Sequence, residues 1–338
     1  MTINPELERK LLIGFYVFFV AVFFLFLFEI YTPKSFGKSP TVIYAAQKGM
    51  GANEIAADLE KQGIIKSSLF FRLFVITSNK HLKLQAGSYN LSSSMSVAKI
   101  VKKISSGDTI RNKITIVEGW DSKDIAEYLE SKKLYSQKEF LDLVKQDFSG
   151  DFEFLKDKPK KLNLEGYIFP DTYEFHLEEK PEILLKNILS NFNKKMNTDL
   201  IKEIKAQDKS IFKIVTMASI IEKEVRSLED KKVVSGILWK RMANDIPLQV
   251  DSTVNYITGK NHSGVAIEDT KINSPYNTYK YIGLPLGPIS NPGIESILAA
   301  IYPKESPFWY YLSSDKNGQT IFSKTLEEHI AAQAKHFE

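Results

Sequence analysis

"IVTMASIIEKEVRS" (Ile214–Ser227) predicts a buried helix that carries two carboxylates close to its end. The run from Ile214 to Ile221 has no charged residue and is apolar on nearly every side of a helical wheel, which is typical of a helix inside a core. On that wheel Glu222 shares a stripe with apolar side chains, and Glu224 lies about 160° away. A regular helix therefore cannot bring both carboxylates into one pocket, and we expect one of them to act alone.

The apolar surroundings favour Glu222 as the residue that does chemistry. A carboxyl group in a low-dielectric setting is harder to ionise, and its pKa rises to roughly 6 when desolvation dominates. Such a group is protonated often enough near neutral pH to act as a general acid. The alternative is structural: Glu222 and Glu224 cap an exposed helix end and pair with Lys223 and Arg226.

Composition excludes several other kinds of chemistry. The chain has 338 residues, a net charge of +4 and no cysteine. Its length predicts two folded units. The weak, dispersed positive charge comes without a recognition motif, so we expect no nucleic-acid partner. Without cysteine there are no disulfides or thiolate sites, and the five histidines lack metal-binding spacing. We therefore expect no metal and no other cofactor.

The N-terminal region predicts a membrane anchor. "LLIGFYVFFVAVFFLFLF" (Leu11–Phe28) contains no charged residue and would span about 27 Å as a helix, enough for a hydrocarbon core. A signal peptide would have a shorter apolar run followed by a small-residue cleavage site. We expect a tail at residues 1–10 and an uncleaved transmembrane helix at residues 11–31. Basic residues flank both ends almost equally, which leaves the orientation open.

The body begins with an internal repeat after a Pro- and Gly-containing linker at residues 32–40. Segments 47–71 and 117–141 align at an offset of 70 residues, and each follows a β-rich run with a glycine turn and helical periodicity. This pattern resembles the βααβ fold of LysM modules, which hold N-acetylated glycans, and we assign such a subdomain to residues 41–110. Alternatively, two small α+β units share a common supersecondary element.

Residues 111–338 predict a larger α+β catalytic domain with long polar loops. Leu248–Tyr256 ("LQVDSTVNY") and Ser274–Gly293 ("SPYNTYKYIGLPLGPISNPG") combine aromatic, amide, hydroxyl and acidic side chains without a regular period. Unstructured segments of this length inside a domain are usually functional. Aromatic rings fit the CH faces of sugars, and amides and carboxylates bind sugar hydroxyls, so we expect a glycan groove. A glycoside hydrolase normally needs two carboxylates, and this helix offers one.

Four motifs in order closely resemble the endolytic murein transglycosylase (YceG-like) family: "LEGYIFPDTYEF", "ASIIEKEV", "LQVDSTVNY" and "SPYNTYKYIGLPLGPISNPGIESILAAIYP". The resemblance covers nearly the whole chain. It implies a single-pass lyase of the bacterial cytoplasmic membrane with its body outside the cytoplasm. Such an enzyme cuts nascent peptidoglycan strands between N-acetylmuramic acid and N-acetylglucosamine, and it leaves 1,6-anhydromuramyl ends. The implied role is termination of glycan elongation, with peptidoglycan synthases (penicillin-binding proteins) as partners.

The family chemistry also implies why one carboxylate is enough. One Glu protonates the glycosidic oxygen and then takes the proton of the muramyl C6 hydroxyl, which attacks its own anomeric carbon. The first Glu of the family's "EKE" has this role, which is Glu222 here. We expect supporting carboxylates at Glu165, Asp171 and Glu224, although turn hydrogen bonds could equally explain the first two and a structural ion pair the third. The expected substrate contacts are Tyr167, Gln249, Asp251, Ser252, Asn255, Asn277, Tyr279, Ser290 and Asn291.

Two other functions stay open at this stage. A non-catalytic envelope scaffold would hold peptidoglycan through the LysM-like units without cutting it. A true hydrolase would use water as the nucleophile and would leave reducing muramyl ends, which are heavier than anhydromuramyl ends by one water.

Overall fold

The computed structural model of the protein describes residues 5–176, 179–260, 264–313 and 319–337. The chain forms two compact units built from helices and strands, which confirms the α+β class. The first unit runs to Asn112 and includes a short return segment that begins at Glu174. The second contains Lys113–Tyr173 and the chain from Glu179 onward.

The first unit starts with a long apolar helix and continues as a small α+β body. Its elements are α1 (Pro5–Tyr31), β1 (Val42–Ala46), α2 (Ala52–Lys61), α3 (Ser68–Thr77), β2 (Gly87–Leu91) and α4 (Val97–Ser106). Within α1, the segment Arg9–Tyr31 is long and apolar enough to cross a membrane. β1 and β2 pair antiparallel, and the facing Tyr44 and Tyr89 are both buried in the core of the unit.

The predicted linker at residues 32–40 is attached to this body. The Ser35 N–H donates to the Ser93 carbonyl at 2.9 Å, and the Ser92 hydroxyl donates to the Ser39 carbonyl at 3.3 Å. Because both ends of the segment make such bonds, helix α1, the segment and the following body belong to one unit.

The predicted repeat is confirmed by the order of the elements. β3 (Arg111–Thr115), α5 (Ser122–Ser131) and α6 (Gln137–Leu143) follow each other as β1, α2 and α3 do, and α5 begins and ends 70 residues after α2. Gly49 and Gly119 precede the paired helices with φ of 96° and 80°, which glycine adopts without strain. The two copies differ in the strand that completes their sheet. β1 pairs with β2, whereas β3 pairs with β4 (Thr172–His176).

The second unit is mainly helical, and α9 lies at its centre. The remaining elements are α7 (Pro181–Lys195), α8 (Thr198–Ala206), α9 (Ile211–Glu224), α10 (Leu228–Ala243), α11 (Asp251–Thr258), α12 (Ile294–Ile301), β5 (Tyr310–Ser313), β6 (Thr320–Ser323) and α13 (Leu326–Phe337). Every residue from Ile214 to Ile221 is buried, as the sequence predicts, and α10 and α12 pack against this helix. Helix α9 ends at Glu224 because Val225 is extended, with φ −145° and ψ 155°.

The two polar segments differ from each other in structure. Leu248–Tyr256 was expected to be irregular, and this is wrong, since Asp251–Thr258 forms α11 and Gly259 ends it at φ 69°. A helix of eight residues completes little more than two turns, so its apolar period is too short to stand out in the sequence. Ser274–Gly293 contains neither helix nor strand, as predicted.

The chain ends in a strand pair and a capped helix. β5 and β6 pair antiparallel from Tyr310–Ser323 to Ser313–Thr320, and the predicted turn at Asn317 and Gly318 lies outside the described residues. The Thr325 hydroxyl accepts the Glu328 N–H at 3.2 Å, and the Glu328 carboxylate accepts the Thr325 N–H at 3.4 Å. This reciprocal pair is the predicted capping box.

Candidate active site

Glu222 lies in a closed set of protein contacts. The Lys231 ammonium is 3.1 Å from its Oε1, and the Gly293 N–H and Ser296 hydroxyl donate to its Oε2 at 2.9 and 2.7 Å. Only 3% of the Lys231 side chain and 8% of the Glu222 side chain are exposed. Protein donors thus occupy both oxygens of this carboxylate.

Glu118 lies near the Glu222 carboxylate and the Lys231 ammonium, and its own side chain is only partly shielded from water. Burial raises the pKa of Glu118, the charge of Glu222 raises it further, and Lys231 opposes both effects. A Cβ at Gly293 would come within 1.9 Å of the Glu118 carboxylate, so a larger residue there would displace the Glu118 side chain. Glu222 is shielded from water as expected, but α10 also supplies a buried countercharge that its position on α9 does not predict.

Glu224 is the last residue of α9, and it contacts a different set of groups. The Tyr311 hydroxyl donates to its Oε2 at 3.1 Å, and the backbone N–H of Ser252 in the first turn of α11 also donates to it. Burial raises the pKa of Glu224 from 4.5 to about 6, and the charge of Asp251 adds to this rise. The hydrogen bonds from Ser252 and Tyr311 partly offset it. About half of this carboxyl is therefore protonated at pH 6 and about a tenth at pH 7.

Two side-chain pairs lie next to the residues that interact with the Glu224 carboxyl. The Tyr279 hydroxyl donates to Asp251, and burial together with that hydrogen bond raises the pKa of Tyr279. The Arg241 guanidinium donates to the Gln249 side-chain oxygen at 2.7 Å and lies over the Tyr310 ring at 5.5 Å. The site therefore combines a shielded acid, a hydrogen-bonded carboxylate, a cation and aromatic side chains.

Thr278 joins the two segments that carry these groups. Its carbonyl accepts the Gln249 N–H at 3.1 Å, and its hydroxyl accepts the Val250 N–H at 3.0 Å and lies 2.9 Å from the Thr253 hydroxyl. Gln249 has φ 53°, a left-handed conformation that costs a non-glycine residue on the order of 1–3 kcal/mol. These bonds hold the strained residue and position Asp251 and Tyr279 together.

Comparison with known families identifies the family of the chain. The model of the YceG-like family matches residues 44–335, which is most of the chain. The chain belongs to the YceG-like family. Solved structures include a yceG-like protein from Listeria monocytogenes, which is 33% identical with a TM-score of 0.59 and matches 87% of this chain and 100% of its own.

Two curated relatives of this YceG-like chain are named endolytic murein transglycosylase. The Bacillus subtilis protein is 34% identical over 88% of this chain and 85% of its own length. The Streptococcus pneumoniae protein is 29% identical over 86% of this chain, and the matched part is 57% of that longer protein.

The YceG-like structure gathers part of the predicted substrate set around Glu224. Asp251, Ser252 and Tyr279 interact with its carboxyl directly, and Gln249 bonds Arg241, which lies beside Tyr279 and Tyr311. Asn255 lies one turn beyond Asp251 on α11 and is partly buried. The prediction that these residues share one site is thus consistent with their positions, but they share it with the second glutamate of "EKE".

Other predicted groove residues are buried structural groups instead. Asn277 donates to two carbonyls of its own loop at 2.9 and 2.8 Å, and Ser290 donates to the Ser219 carbonyl of α9 at 2.9 Å. The Tyr167 ring is fully buried and lies 5.2 Å from the ring of Phe192. All three side chains are fully buried in this structure, and their contact with substrate stays a prediction.

Asn291 is a buried junction of the second unit. Its side-chain oxygen accepts the N–H groups of Gly166 and Ile168, both at 2.9 Å, and its amide nitrogen donates to the Trp120 carbonyl at 3.0 Å and to Glu165 at 2.8 Å. With all these bonds made inside the protein, Asn291 holds the "EGY" turn in place and does not face a groove.

Glu165 bonds residues far away in the chain, and Asp171 combines a local turn bond with a distant one. Glu165 is buried and accepts the Ser122 N–H at 2.9 Å, and burial raises its pKa to about 8. Asp171 accepts the Asn191 side-chain amide at 2.9 Å and its neighbour's N–H at 2.8 Å. These contacts give neither residue a direct bond to Glu222 or Glu224.

Sequence reasoning missed Tyr311, Arg241 and Lys231. Tyr311 is 87 residues from the glutamate that it contacts, and no local spacing indicates such a pairing. The aromatic run at residues 308–311 was the available signal. In the parts of the chain that the structure describes, no three His, Asp or Glu residues are grouped closely enough to hold a metal ion.

Proposed function

We propose that this protein is an endolytic lytic transglycosylase that cleaves peptidoglycan strands between N-acetylmuramic acid and N-acetylglucosamine. Family membership and the names of two relatives support the activity. The observation that carries the proposal is the shielded Glu224 carboxyl, with a pKa of about 6, beside Asp251, Tyr279 and Tyr311.

We assign the acid to Glu224 and not to Glu222. A general acid needs a proton near neutral pH and a path to substrate. Glu224 has the raised pKa and neighbours of the kind that bind sugars, whereas Glu222 has a lysine and two further donors on its oxygens. Glu222 has the more apolar neighbours along α9, whereas the contacts that distinguish the two carboxylates come from α10 and β5.

The proposed reaction needs one proton carrier and no water. The Glu224 carboxylic acid gives its proton to the glycosidic oxygen, and the bond from the anomeric carbon of the muramyl residue to that oxygen breaks. The muramyl C6 hydroxyl attacks the same anomeric carbon and loses its proton to the Glu224 carboxylate. The products are a 1,6-anhydromuramyl end and a free N-acetylglucosamine hydroxyl, and the carboxyl is restored to its starting state.

Asp251 and Tyr279 support this cycle by charge and position. Glycosidic cleavage develops positive charge at the anomeric carbon, which a nearby carboxylate stabilises. The Tyr279 hydroxyl fixes the Asp251 carboxylate, and Asp251 in turn disfavours ionisation of Glu224. The same carboxylate thus favours protonated Glu224 before the reaction and the cationic centre during it.

The proposed location is the outer face of a bacterial cytoplasmic membrane. Helix α1 would cross the membrane once, with both units outside the cytoplasm. The strand–helix–helix–strand segment from β1 to β2 would act as a LysM-like glycan-holding module. The proposed role is to end the elongation of nascent strands beside peptidoglycan synthases.

Product analysis tests the activity. Purified protein is incubated with uncrosslinked glycan strands, and the fragments are analysed by mass spectrometry. Internal cuts with anhydromuramyl ends are expected. Fragments heavier by one water would indicate a hydrolase, and binding without fragments would indicate a scaffold; either result contradicts the proposal.

A further inference from the structure

Helix α3 carries an exposed apolar stripe beside the membrane helix. Leu69, Leu73 and Ile76 are 50%, 39% and 63% exposed, and their spacing places them on one face. The opposite side of the helix, with Phe71 and Val75, is buried in the core of the first unit. Packing in the core therefore does not explain why the exposed stripe is apolar.

The neighbouring face of α3 packs against the end of α1. The Phe70 and Phe26 rings are 6.4 Å apart, and so are the Phe74 and Tyr31 rings. Lys66, just before α3, lies 4.8 Å above the Phe28 ring and makes further bonds to the last turn of α1. These contacts extend along the last turns of α1. They fix the position of α3 along the axis of α1.

The length of α1 sets the depth of those contacts. The apolar segment Arg9–Tyr31 has 23 residues. As a helix it spans about 34 Å, slightly more than the roughly 30 Å of a hydrocarbon core. With Arg9 and Lys10 held at the inner surface, Tyr31 lies at the outer boundary and Phe26 about 7 Å below it. Phe70, in ring contact with Phe26, then lies at the level of the acyl chains.

We propose that α3 lies in the outer interface of the bilayer and that lipid covers the stripe of Leu69, Leu73 and Ile76. This inference rests on the proposed membrane insertion of α1. Interfacial helices bury their apolar face about 5–10 Å into the boundary between headgroups and acyl chains, which matches the depth of Phe70. The occupant is lipid because the stripe continues the lipid-exposed surface of α1.

The basic residues of this region fit the same placement. Lys66 and Arg72 have long apolar stems and are only partly exposed, so their charged ends can reach the headgroup layer while α3 lies lower. The first unit would thus be seated on the membrane through two helices. A single-helix anchor would instead leave α3 in water.

The chain contains no cysteine, so single cysteines can report depth without background. Full-length Leu73→Cys and Ile76→Cys variants are labelled with an environment-sensitive fluorophore and reconstituted into phosphatidylglycerol-containing vesicles. Ala21→Cys, in the middle of α1, reports insertion of the anchor. Ser106→Cys is the water-exposed control, because it ends α4, about 15 Å from the start of that helix near the linker contacts.

Nitroxide carried on the acyl chain near the headgroup should quench the labels at positions 73 and 76 several-fold more than the label at 106. A water-soluble quencher should show the reverse order. Quenching at 21 without quenching at 73 and 76 would overturn the inference and leave the anchor intact. No lipid quenching at 21 would contradict the anchor itself. Labels at 73 and 76 that neither quencher reaches would show that protein covers the stripe, which also overturns the inference.

Discussion

Glu222 and Glu224 are two residues apart on one helix, yet their surroundings are opposite in electrostatic character. Glu222 faces a buried lysine, which contacts one carboxylate oxygen, and two hydrogen-bond donors, which contact the other. Glu224 faces Asp251, which carries a charge of the same sign. Only hydrogen bonds offset the cost of burying the ionised Glu224 carboxylate. The comparison shows that burial alone does not identify a proton donor; the sign of the neighbouring charge decides.

The largest expected effect is the loss of catalysis when Glu224 is replaced. Glu224→Gln should reduce the rate of anhydromuramyl end formation by about 10²–10⁴, the usual contribution of a general acid–base group. Glu222→Gln is the matched control and should keep the rate per folded molecule. Strand binding should survive in both variants, so a loss of activity that followed a loss of binding would count against the assignment.

The next largest effect is a loss of stability when Lys231 is replaced. Replacing Lys231 by Met leaves Glu222 as an uncompensated buried charge and should lower the free energy of unfolding by about 3–5 kcal/mol. The double variant Glu222→Gln/Lys231→Met removes both charges and should recover most of that loss. Urea unfolding measures both quantities. Equal stability of the single variant and the parent protein would show that the pair carries no structural role.

Unlike Lys231→Met, Glu224→Gln should raise the free energy of unfolding. The size of this gain should depend on pH. The folded-state pKa of about 6 lies above the ordinary 4.5, so the folded protein holds this proton more tightly than the unfolded chain does. Stability from this group is complete below pH 4.5 and is lost as pH rises through 6. The Gln variant avoids that loss and should be about 2 kcal/mol more stable above pH 7 and no more stable at pH 4. A gain that does not vary with pH would contradict this explanation.

The smallest effect concerns the hydrogen bond from Tyr311. This bond stabilises ionised Glu224, so Tyr311→Phe should raise the pKa of Glu224. The alkaline limit of the pH–rate profile should then move upward by about one unit at most, which corresponds to one hydrogen bond of ~1 kcal/mol. Tyr310→Phe is a neighbouring control that should leave the limit in place. A downward shift in Tyr311→Phe would contradict the proposed direction.

The sequence predicted the elements better than it predicted the site. Periodicity located α1, the buried stretch of α9 and the repeated α2 and α5, because each pattern is local and longer than one turn. Motif resemblance located the segments that meet at the site. Helix α11 was missed because eight residues are too few to show a clear helical period of apolar residues.

Side-chain roles could not be predicted because they depend on partners far away in the chain. Asn291 and Ser290 lie in a polar motif that also suits a sugar groove, and only the fold shows that they bond Glu165 and Ser219 instead. The proposal that moves the acid from Glu222 to Glu224 rests on contacts of the same kind. Helical position gave its neighbours on α9, whereas Lys231 and Tyr311 approach from other elements.

Infrared titration of the protonated carboxylic acid band tests most directly which glutamate holds the exchangeable proton. In the parent protein a band is expected to disappear with a midpoint near pH 6, separate from that of Glu165 near pH 8. This band should be absent from Glu224→Gln and unchanged in Glu222→Gln. If Glu222→Gln abolished it and Glu224→Gln left it in place, the proton would belong to Glu222, and the account given for Glu224 would be contradicted.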